Sequence, residues 1–319
     1  MSLDAHLVRG VAGALCSALG PRLSVLVFHR VLPAKDPLFP EILCAAEFDQ
    51  LLGFLSQSWT VMGLDEAVQQ IKRKGLPARA LAITFDDGYA DNAEVAVPIL
   101  VRHGLRATFF IATDFLDGGR MWNDTVIEAV RAARGAEIDL SALGFGVLPI
   151  ASNAQRRETI DTMLPRIKYL DFEKRAQIVE AVGTRIGMPL PSHLMMRGEQ
   201  VKAIRAQGME IGAHTVRHPI LKGLSPERAR EEIVGSKQAL EELLGETIGL
   251  FAYPNGKAGV DYEQIHADLA KEAGFVAAAS TRAGVLTPEG DLFHIQRFTP
   301  WDRGNLRFGL RLCKNLLTS

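Results

Sequence analysis

The sequence has few cysteines, no long apolar run and almost no net charge. Its three cysteines, Cys16, Cys44 and Cys313, are widely spaced and follow no metal-ligand pattern, so we expect no disulfide framework. No stretch approaches the roughly 20 apolar residues that cross a membrane. With 36 Lys+Arg against 37 Asp+Glu, the formal net charge is -1, which gives no global field for attracting a polyanion. Nucleic acid is therefore not an expected partner, and any anion site must be local.

The composition is that of a globular protein, with 47% hydrophobic and 23% charged residues over 319 positions. Near the N-terminus, residues 10–19 form a run of small and apolar residues after Arg9, which resembles a signal-peptide core. Asp4 lies in the region that a signal would keep positive, and an apolar segment follows at once. We therefore favour an amphipathic first helix and a cytoplasmic protein that is at most peripheral to a membrane. Export through an N-terminal signal is the alternative.

Short apolar segments alternate with helix-like segments over most of the chain. This alternation predicts parallel strands covered by helices, in a sheet that is open or closed into a barrel. Ser225, Pro226 and Glu227 are typical of a helix start, and Gly245 of its end; a second helix is predicted over residues 261–273. The predicted strands are residues 23–28, 80–85, 107–111, 209–213, 248–252 and 275–279.

The region 120–190 breaks this rhythm, because it has no clear strand and charged helix patterns dominate it, as in residues 156–164 and 172–186. We interpret it as a helical insertion within a single domain that spans residues 1–319. Residues 1–20 and 301–319 are predicted to be peripheral helices. In the second, basic residues lie opposite leucines, which favours a solvated amphipathic helix over docking to a membrane or partner. The residues are Arg303, Arg307, Arg311 and Lys314, opposite Leu306, Leu310 and Leu317.

Two adjacent carboxylates, Asp86 and Asp87, follow the apolar segment 80–85 and precede Gly88. Active sites of parallel α/β folds lie at the carboxyl ends of strands, so the position suits chemistry. Neighbouring residues of a regular strand point to opposite faces, so both carboxylates can serve one site only if the backbone leaves the strand there. Gly88 permits such a turn. Alone, the motif fits a helix N-cap equally well.

Two histidines, His214 and His218, follow another predicted strand. Histidines four residues apart lie on the same side of a helical turn, where two imidazoles can share a metal. A single pair at this spacing is often incidental. Here the pair and the two carboxylates both follow strand ends, so we expect them on one rim. Two imidazoles and one carboxylate leave a coordination position open, as in catalytic zinc sites.

These two segments, Thr84-Phe85-Asp86-Asp87-Gly88 and His214-Thr215-Val216-Arg217-His218, resemble the first two motifs of the polysaccharide deacetylases. This family is carbohydrate esterase family 4, with the NodB homology domain, and the resemblance covers residues 23–300. It implies a distorted (β/α) barrel, a divalent metal held by Asp87, His214 and His218, and Asp86 as the general base. We expect Zn²⁺, although Co²⁺, Ni²⁺ or Fe²⁺ would suit the same ligands.

The third motif of the family differs here. It usually reads Arg-Pro-Pro-Tyr-Gly, whereas this chain has Ala252-Tyr253-Pro254-Asn255-Gly256, so the arginine that steadies the base is missing at Ala252. Arg297 is a candidate replacement because it lies near the end of a late apolar segment; the alternative is a surface arginine. By position, Asn255 would supply a backbone N–H to the oxyanion, with Tyr253 beside it as a substrate contact.

A histidine general acid is also implied by the resemblance, and two residues are candidates. His294 has the expected position in the chain. His29 ends the first strand and so would lie on the rim of the metal site, and we favour it. Trp122, with Asn123 and Asp124, begins the insertion and is a candidate substrate contact.

The resemblance implies a hydrolase that removes N-acetyl groups from N-acetylglucosamine-type sugars of a polysaccharide or exopolysaccharide precursor. A deformylase or deacetylase of a lipid-linked amino sugar is an alternative. A carbohydrate-binding homologue without catalysis is another, although retention of Asp86, which has no ligand role, argues against it. A glycosidase fits less well, because its two carboxyl groups flank a bond about 5 to 9.5 Å apart.

Overall fold

The computed structural model describes residues 2–300 and 304–318. Within them, seven strands pair in one sheet, and every pairing is parallel. The order is β1-β3-β4-β7-β8-β9, with β2 beside β3. The strands are β1 (Leu23–Phe28), β2 (Thr60–Met62), β3 (Ala80–Phe85), β4 (Thr108–Ile111), β7 (Glu210–Ala213), β8 (Leu250–Ala252) and β9 (Ala277–Ala279), and a separate antiparallel pair is β5 (Glu137–Leu140) and β6 (Gly146–Pro149).

Residues 295–298 join the two edges of the large sheet. Ile295 forms a parallel bridge with Ala279 of β9, and Phe298 forms one with Leu26 of β1. The N–H of Phe298 donates to the carbonyl of Val25 at 2.7 Å. The sheet therefore curls into a distorted barrel of parallel strands, and the predicted fold class is confirmed.

Helices cover the outside of the barrel. The helix predicted from Ser225 begins there, since the Ser225 hydroxyl accepts from the N–H of Arg228, and it ends at Gly245 in the left-handed region. The helix predicted from residue 261 begins three residues later, because the Asp261 carboxylate accepts from the N–H of Lys257 and holds a turn. The helices are α1 (Leu3–Leu19), α2 (Ala45–Ser58), α3 (Leu64–Lys72), α4 (Val97–Arg102), α5 (Trp122–Ala132), α6 (Asn153–Lys168), α7 (Phe172–Ile186), α8 (Gly198–Ala206), α9 (Pro226–Leu244), α10 (Gln264–Glu272) and α11 (Asn305–Asn315).

Alternation along the strands divides the apolar residues into two clusters. In β3, Leu81, Ile83 and Phe85 face outward to a core shared with α2, α4 and α9. Ala80 and Ala82 face the interior of the barrel, where small residues leave room for the ring of Phe110. By the same alternation Thr84 and Asp86 continue the inner face upward, toward the carboxyl end of the barrel.

The insertion contains a hairpin that the sequence analysis did not predict. Residues 120–190 form α5, α6 and α7 as expected, but β5 and β6 pair between α5 and α6. The reason is the alternation in β5, where Ile138 and Leu140 are buried and their neighbours exposed. Gly144 and Gly146 have positive φ angles of 80° and 78°, which lets the chain reverse. The insertion has a hydrophobic cluster of its own, which includes Val126, Val130, Ile160, Ile167 and Val182.

The two predicted terminal helices are α1 and α11, and they pack against each other. In α11, Phe308, Leu312 and Cys313 are buried, while Leu310 is exposed on the opposite side. Arg303, which the prediction placed in this helix, lies outside the described residues. In the part of the chain that the structure describes, no helix is long and apolar enough to cross a membrane.

We expect Gly212 to be essential for barrel packing. A Cβ at this position would lie 2.5 Å from Phe110 ring carbons and 3.0 Å from the carbonyl oxygen of Leu250. Gly212→Ala should therefore lower the free energy of unfolding by about 1 to 3 kcal/mol, measured by urea titration. Gly10→Ala, whose Cβ meets nothing within 4 Å in α1, should raise it by about 0.5 to 1 kcal/mol. Equal stabilities of the two variants would contradict this packing.

Candidate active site

The residues predicted to take part in catalysis or metal binding lie at the edge of the barrel where the strands have their carboxyl ends. Asp86 and Asp87 follow β3, His214 follows β7, and His29 follows β1. Because all these strands are parallel, their ends meet on one rim. The rim therefore holds the carboxylates and histidines that the sequence separates by up to 189 positions, from His29 to His218.

The backbone leaves the strand at the two carboxylates, as expected. Asp87 has a φ of 77° and Gly88 a φ of 91°, so two successive residues adopt the left-handed region. The turn is held by its carbonyls, since Asp87 accepts from the N–H of Ala112 at 3.3 Å and Gly88 from that of Met196 at 2.9 Å. The turn thus allows the side chains of Asp86 and Asp87 to contact different residues within one site.

Asp87, His214 and His218 form a buried cluster whose candidate ligand atoms lie within 4.8 Å of one another. Oδ1 of Asp87 is 3.5 Å from Nε2 of His214 and 3.4 Å from Nε2 of His218, and it has no hydrogen-bond partner among the described residues. Tetrahedral zinc with ligands at about 2.0 to 2.1 Å separates neighbouring ligand atoms by about 3.4 Å. The cluster therefore fits a divalent cation, which would also satisfy the orphaned oxygen.

The imidazoles are oriented for this role. Nδ1 of His214 lies 2.8 Å from the carbonyl of Ala252, so this nitrogen donates and Nε2 is left as the acceptor facing Asp87. Burial lowers the pKa of His218 to about 3, so its imidazole is neutral at ordinary pH and can act as a ligand. Hence Nε2 of His214 presents a lone pair toward the Asp87 carboxylate, and Nε2 of the neutral His218 ring lies 3.4 Å from the same carboxylate oxygen.

The segment 214–218 is not the helical turn that the histidine spacing suggested. Thr215 has a φ of 65° and His218 a φ of 52°, so the chain makes an irregular bend. The N–H of His218 donates to Oγ1 of Thr215 at 3.1 Å, which fixes the bend. The two rings converge because of this bend, with centroids 4.8 Å apart.

Glu232 of α9 supports the bend and was missed by the sequence analysis. Its carboxylate accepts from the backbone N–H groups of Val216 at 3.0 Å and Arg217 at 2.8 Å, and from Nε of Arg217 at 2.9 Å. Only 3% of Glu232 is exposed. The signal was present in the sequence, since Glu232 lies on the apolar face of its helix with Ala229 and Ile233.

Asp86 forms a buried two-point ion pair with Arg297. Nη1 of Arg297 lies 2.6 Å from Oδ1 of Asp86, and Nη2 lies 2.7 Å from Oδ2. Nε of Arg297 donates to the carbonyl of Ser280 at 2.7 Å, and Nη1 also reaches Oγ1 of Thr84 at 3.2 Å. Arg297 is 1% exposed, so it is no surface arginine. Arg297 thus pairs with Asp86 in a chain that has alanine at position 252.

The charges around Asp86 keep it ionised. Burial acts to raise the pKa of the Asp86 carboxyl, but the positive charge of Arg297 acts most strongly in the opposite direction, and the pKa is lowered. An ionised carboxylate can accept a proton, which a general base requires.

The two candidate general acids lie in different places. His29 is exposed at the rim, and Nδ2 of Asn92 donates to the carbonyl of His29 at 2.9 Å. His294 lies in a bend directly before the segment 295–298. There, its Nδ1 lies 2.8 Å from the hydroxyl of Tyr262. The structure does not bring His294 to the cluster.

The two candidate residues of the third motif, Tyr253 and Asn255, lie in different surroundings. Tyr253 is 0% exposed, and its hydroxyl donates to the carbonyl of Phe293 at 3.0 Å, so this side chain is not available to a substrate. Its ring stacks on Tyr262 at 3.8 Å. Asn255 follows in the left-handed region with a φ of 60°, and its carbonyl accepts from Oγ1 of Thr281 at 2.5 Å. The turn at Asn255 therefore lies after β8, on the same rim.

The candidate contacts at the start of the insertion lie close to the cluster. Trp122 is partly buried, and its ring centroid is 5.3 Å from Cζ of Arg175, which in turn approaches the carbonyl of His218 at 3.5 Å. Asp124 is 3% exposed, and burial raises its pKa to about 7. Arg175 was not singled out from the sequence, although it shares the buried face of α7 with Val179.

A barrel with a buried Asp-His-His cluster that could hold a metal ion, and with an ionised carboxylate beside it, fits the class of hydrolases. The comparisons with known proteins give the family. The family model described as polysaccharide deacetylase matches residues 73–278, well over half of the chain. The protein belongs to the polysaccharide deacetylase family, whose members are hydrolases of carbon–nitrogen bonds other than peptide bonds.

Individual relatives agree with this assignment. YxkH of Bacillus subtilis (strain 168), which bears the name of a polysaccharide deacetylase, is 20% identical over 86% of this chain and 70% of its own length. The Streptococcus pyogenes deacetylase PplD, solved in complex with acetate, has a TM-score of 0.59 at 20% identity, covering 88% of this chain and 92% of that one. IcaB from Ammonifex degensii has a TM-score of 0.58 at 22% identity, with coverage of 88% and 92%. These structures share the fold.

The Asp86–Arg297 pair predicts how substitutions at either residue change the free energy of unfolding. Arg297→Met should lower the free energy of unfolding by about 3 to 5 kcal/mol, because it leaves the Asp86 carboxylate buried without a counter-charge. Adding Asp86→Asn should recover part of that loss, since the charge is then gone. A double-mutant cycle by urea unfolding measures the coupling. Arg166→Met, at an exposed arginine, should change stability by less than about 0.5 kcal/mol. Strictly additive losses from the two site changes would refute the pairing.

Proposed function

We propose that the protein is a metal-dependent deacetylase that hydrolyses the acetamide of N-acetylglucosamine-type sugars in a polysaccharide or exopolysaccharide precursor. The observation that carries the proposal is the buried pair of Asp86 and Arg297 beside the Asp87, His214 and His218 cluster. A base and a cation site in this arrangement serve water attack on a carbonyl carbon.

In this proposal Asp86 takes the proton from the attacking water. Arg297 holds both carboxylate oxygens, so the base stays ionised and keeps one orientation. The residues Asp87, His214 and His218 hold a divalent metal, for which we propose Zn²⁺. When bound, the metal polarises the acetamide carbonyl and lowers the pKa of a water molecule.

The products require two further groups. The nitrogen of the leaving amine must be protonated, because an amide anion is too basic to leave, and we propose the exposed rim residue His29 as the acid. We propose that the backbone N–H of Asn255, in the turn after β8, donates to the oxygen that becomes negative. Trp122 at the start of α5 is the proposed sugar contact, since its ring borders the cluster through Arg175. Acetate and a free amino sugar result.

A deformylase or deacetylase of a lipid-linked amino sugar is the second candidate function. It is favoured by α11, where Arg307, Arg311 and Lys314 are exposed near exposed Leu310 and Leu317. Such a basic and apolar helix suits the surface of a membrane that holds a lipid carrier. A binding protein without catalysis is disfavoured, because a buried and ionised Asp86 would be costly to keep without a task.

The experiment that tests the function is acetate release from a panel of N-acetylglucosamine oligomers and lipid-linked N-acetyl and N-formyl amino sugars. We expect release from at least one N-acetyl compound, and we expect a chelator to abolish it and added Zn²⁺ to restore it. Formate release from the N-formyl compounds alone would favour the second candidate. Absence of any release from the metal-loaded protein would refute both enzymatic readings.

The metal proposal predicts about one divalent ion per chain in the purified protein, measured by mass spectrometry of the metal content. Asp87→Ala or His218→Ala should lower the occupancy, because each removes one of three ligands. His266→Ala is the matched control: His266 is also buried, but it accepts from the N–H of Glu263 and lies outside the cluster. Normal occupancy in both ligand variants would overturn the site.

The two histidines give a separate prediction. His29→Ala should lower kcat by about 10² to 10⁴-fold with the metal retained, because it removes the proposed proton donor. His294→Ala should instead lower stability by about 1 kcal/mol through loss of its Tyr262 hydrogen bond, with kcat changed little. Steady-state acetate release and thermal unfolding separate the two effects. A large loss of kcat in His294→Ala, with little change in His29→Ala, would instead identify His294 as the proton donor.

A further inference from the structure

Arg175 is a buried cation without a carboxylate partner. It is 4% exposed, and Cζ of its guanidinium lies 5.3 Å from the ring centroids of both Trp122 and Phe172. Its hydrogen bond to the carbonyl of His218 is long, at 3.5 Å. No described carboxylate lies within 4.0 Å of it, whether in residues 2–300 or 304–318. Burial of an unpaired charge is costly, and an anion bound to this guanidinium would offset the cost.

A cavity of about 250 Å³ lies beside Arg175. Arg175 and Phe172 of α7 form one side of it, and Pro219 and Lys222 another. Pro219 directly follows the cluster residue His218. The cavity is therefore next to the Asp-His-His cluster, and a group bound in it can belong to a molecule that also reaches the cluster.

Charged groups of both signs lie at the cavity, but one cation is unpaired. Arg175, Lys222 and Asp171 line it. Lys222 forms an ion pair with Glu263 at 2.9 Å. Nearby, the charge of Asp261 acts to raise the pKa of Lys168, which burial and the charges of Lys257 and Arg175 lower. Of the two cations that line the cavity, only Arg175 has no ion-pair partner among the described residues.

The acidic residues nearby are already engaged. Asp171 caps α7 by accepting from the N–H groups of Glu173 and Lys174. Glu263 pairs with Nζ of Lys222 at 2.9 Å. Asp261 accepts from the N–H of Lys257 at 3.0 Å. Each of these carboxylates thus makes its direct contacts with groups other than Arg175.

We propose that Arg175 and this cavity bind an anionic group of the substrate, a phosphate or a carboxylate, on the sugar that carries the acetamide or on its neighbour. The inference rests on the proposed function and narrows its substrate class. A guanidinium presents a planar fork of N–H donors that matches the oxygens of either anion, and a site of low dielectric strengthens the contact. Trp122, stacked on Arg175, would place a sugar ring between this anion and the cluster.

The test compares three compounds with the metal-loaded protein: methyl N-acetylglucosaminide, N-acetylglucosamine 1-phosphate, and a disaccharide of N-acetylglucosamine and glucuronic acid. Comparison of the phosphate compound with the carboxylate compound shows which of the two anions the site binds. We expect kcat/KM for one anionic compound to exceed that for the neutral one by about tenfold or more, mainly through KM. Arg175→Met should bring that ratio close to one. Arg166→Met, at an exposed arginine of the same insertion stacked 4.6 Å from the Phe145 ring, should leave the ratio unchanged.

Arg175→Lys covers the case in which Arg175→Met does not fold. It keeps the positive charge and most of the aliphatic chain but loses the planar fork of N–H donors. It should reduce the ratio of anionic to neutral kcat/KM by about threefold or more, because one charged hydrogen bond is lost. Equal kcat/KM for neutral and anionic compounds, or a ratio that survives both Arg175 variants, would overturn the proposal. If none of the three compounds is hydrolysed, the proposed function is decided by the panel of oligomers and lipid-linked sugars, and the anion site is judged separately. For that, inorganic phosphate should raise the Tm of the unmodified protein more than that of the Arg175 variant, with chloride at equal ionic strength as the control. Equal shifts would refute the anion site.

Discussion

The ion pair between Asp86 and Arg297 is the interaction on which the site depends. Asp86 lies at the end of β3, whereas Arg297 lies on the segment 295–298 that closes the barrel between β9 and β1. Only closure brings the two side chains together, and their hydrogen bonds offset the cost of burying both charges. A change that opens the barrel at this segment would therefore also remove the counter-charge of Asp86.

The parallel strands divide the chemistry between two sides of the rim. Asp87 follows β3 and His214 follows β7, and with His218 they could hold a cation. The closing segment supplies Arg297, and the end of β1 supplies the exposed His29. The proposed base Asp86 follows β3 beside the proposed ligand Asp87, whereas the proposed acid and the arginine that pairs with the base come from other parts of the chain. The insertion adds a third contribution, because α5 and α7 carry Trp122 and Arg175 to the edge of the cluster.

Much of this could be predicted from the sequence, and the failures have physical reasons. The apolar strands could be predicted because burial leaves a local pattern in the sequence, whereas the set Asp87, His214 and His218 was assigned through the resemblance to a family. The partner of Asp86 was only a candidate, since strand order and closure decide which arginine reaches it. The helical turn expected at His214 gave way to a bend, because Glu232 from a distant helix holds its N–H groups. Arg175 and Glu232 were missed although both stand on otherwise apolar helix faces.

The measurement that tests the central claim most directly is acetate release by Asp86→Asn, with metal content and thermal unfolding determined on the same preparation. The side chain keeps its size and an oxygen for Arg297, but it can no longer take a proton. The account predicts a folded protein with its metal retained, and turnover reduced by about 10² to 10⁴-fold. Turnover at the rate of the unmodified protein, with the metal in place, would contradict the role of Asp86 as the base.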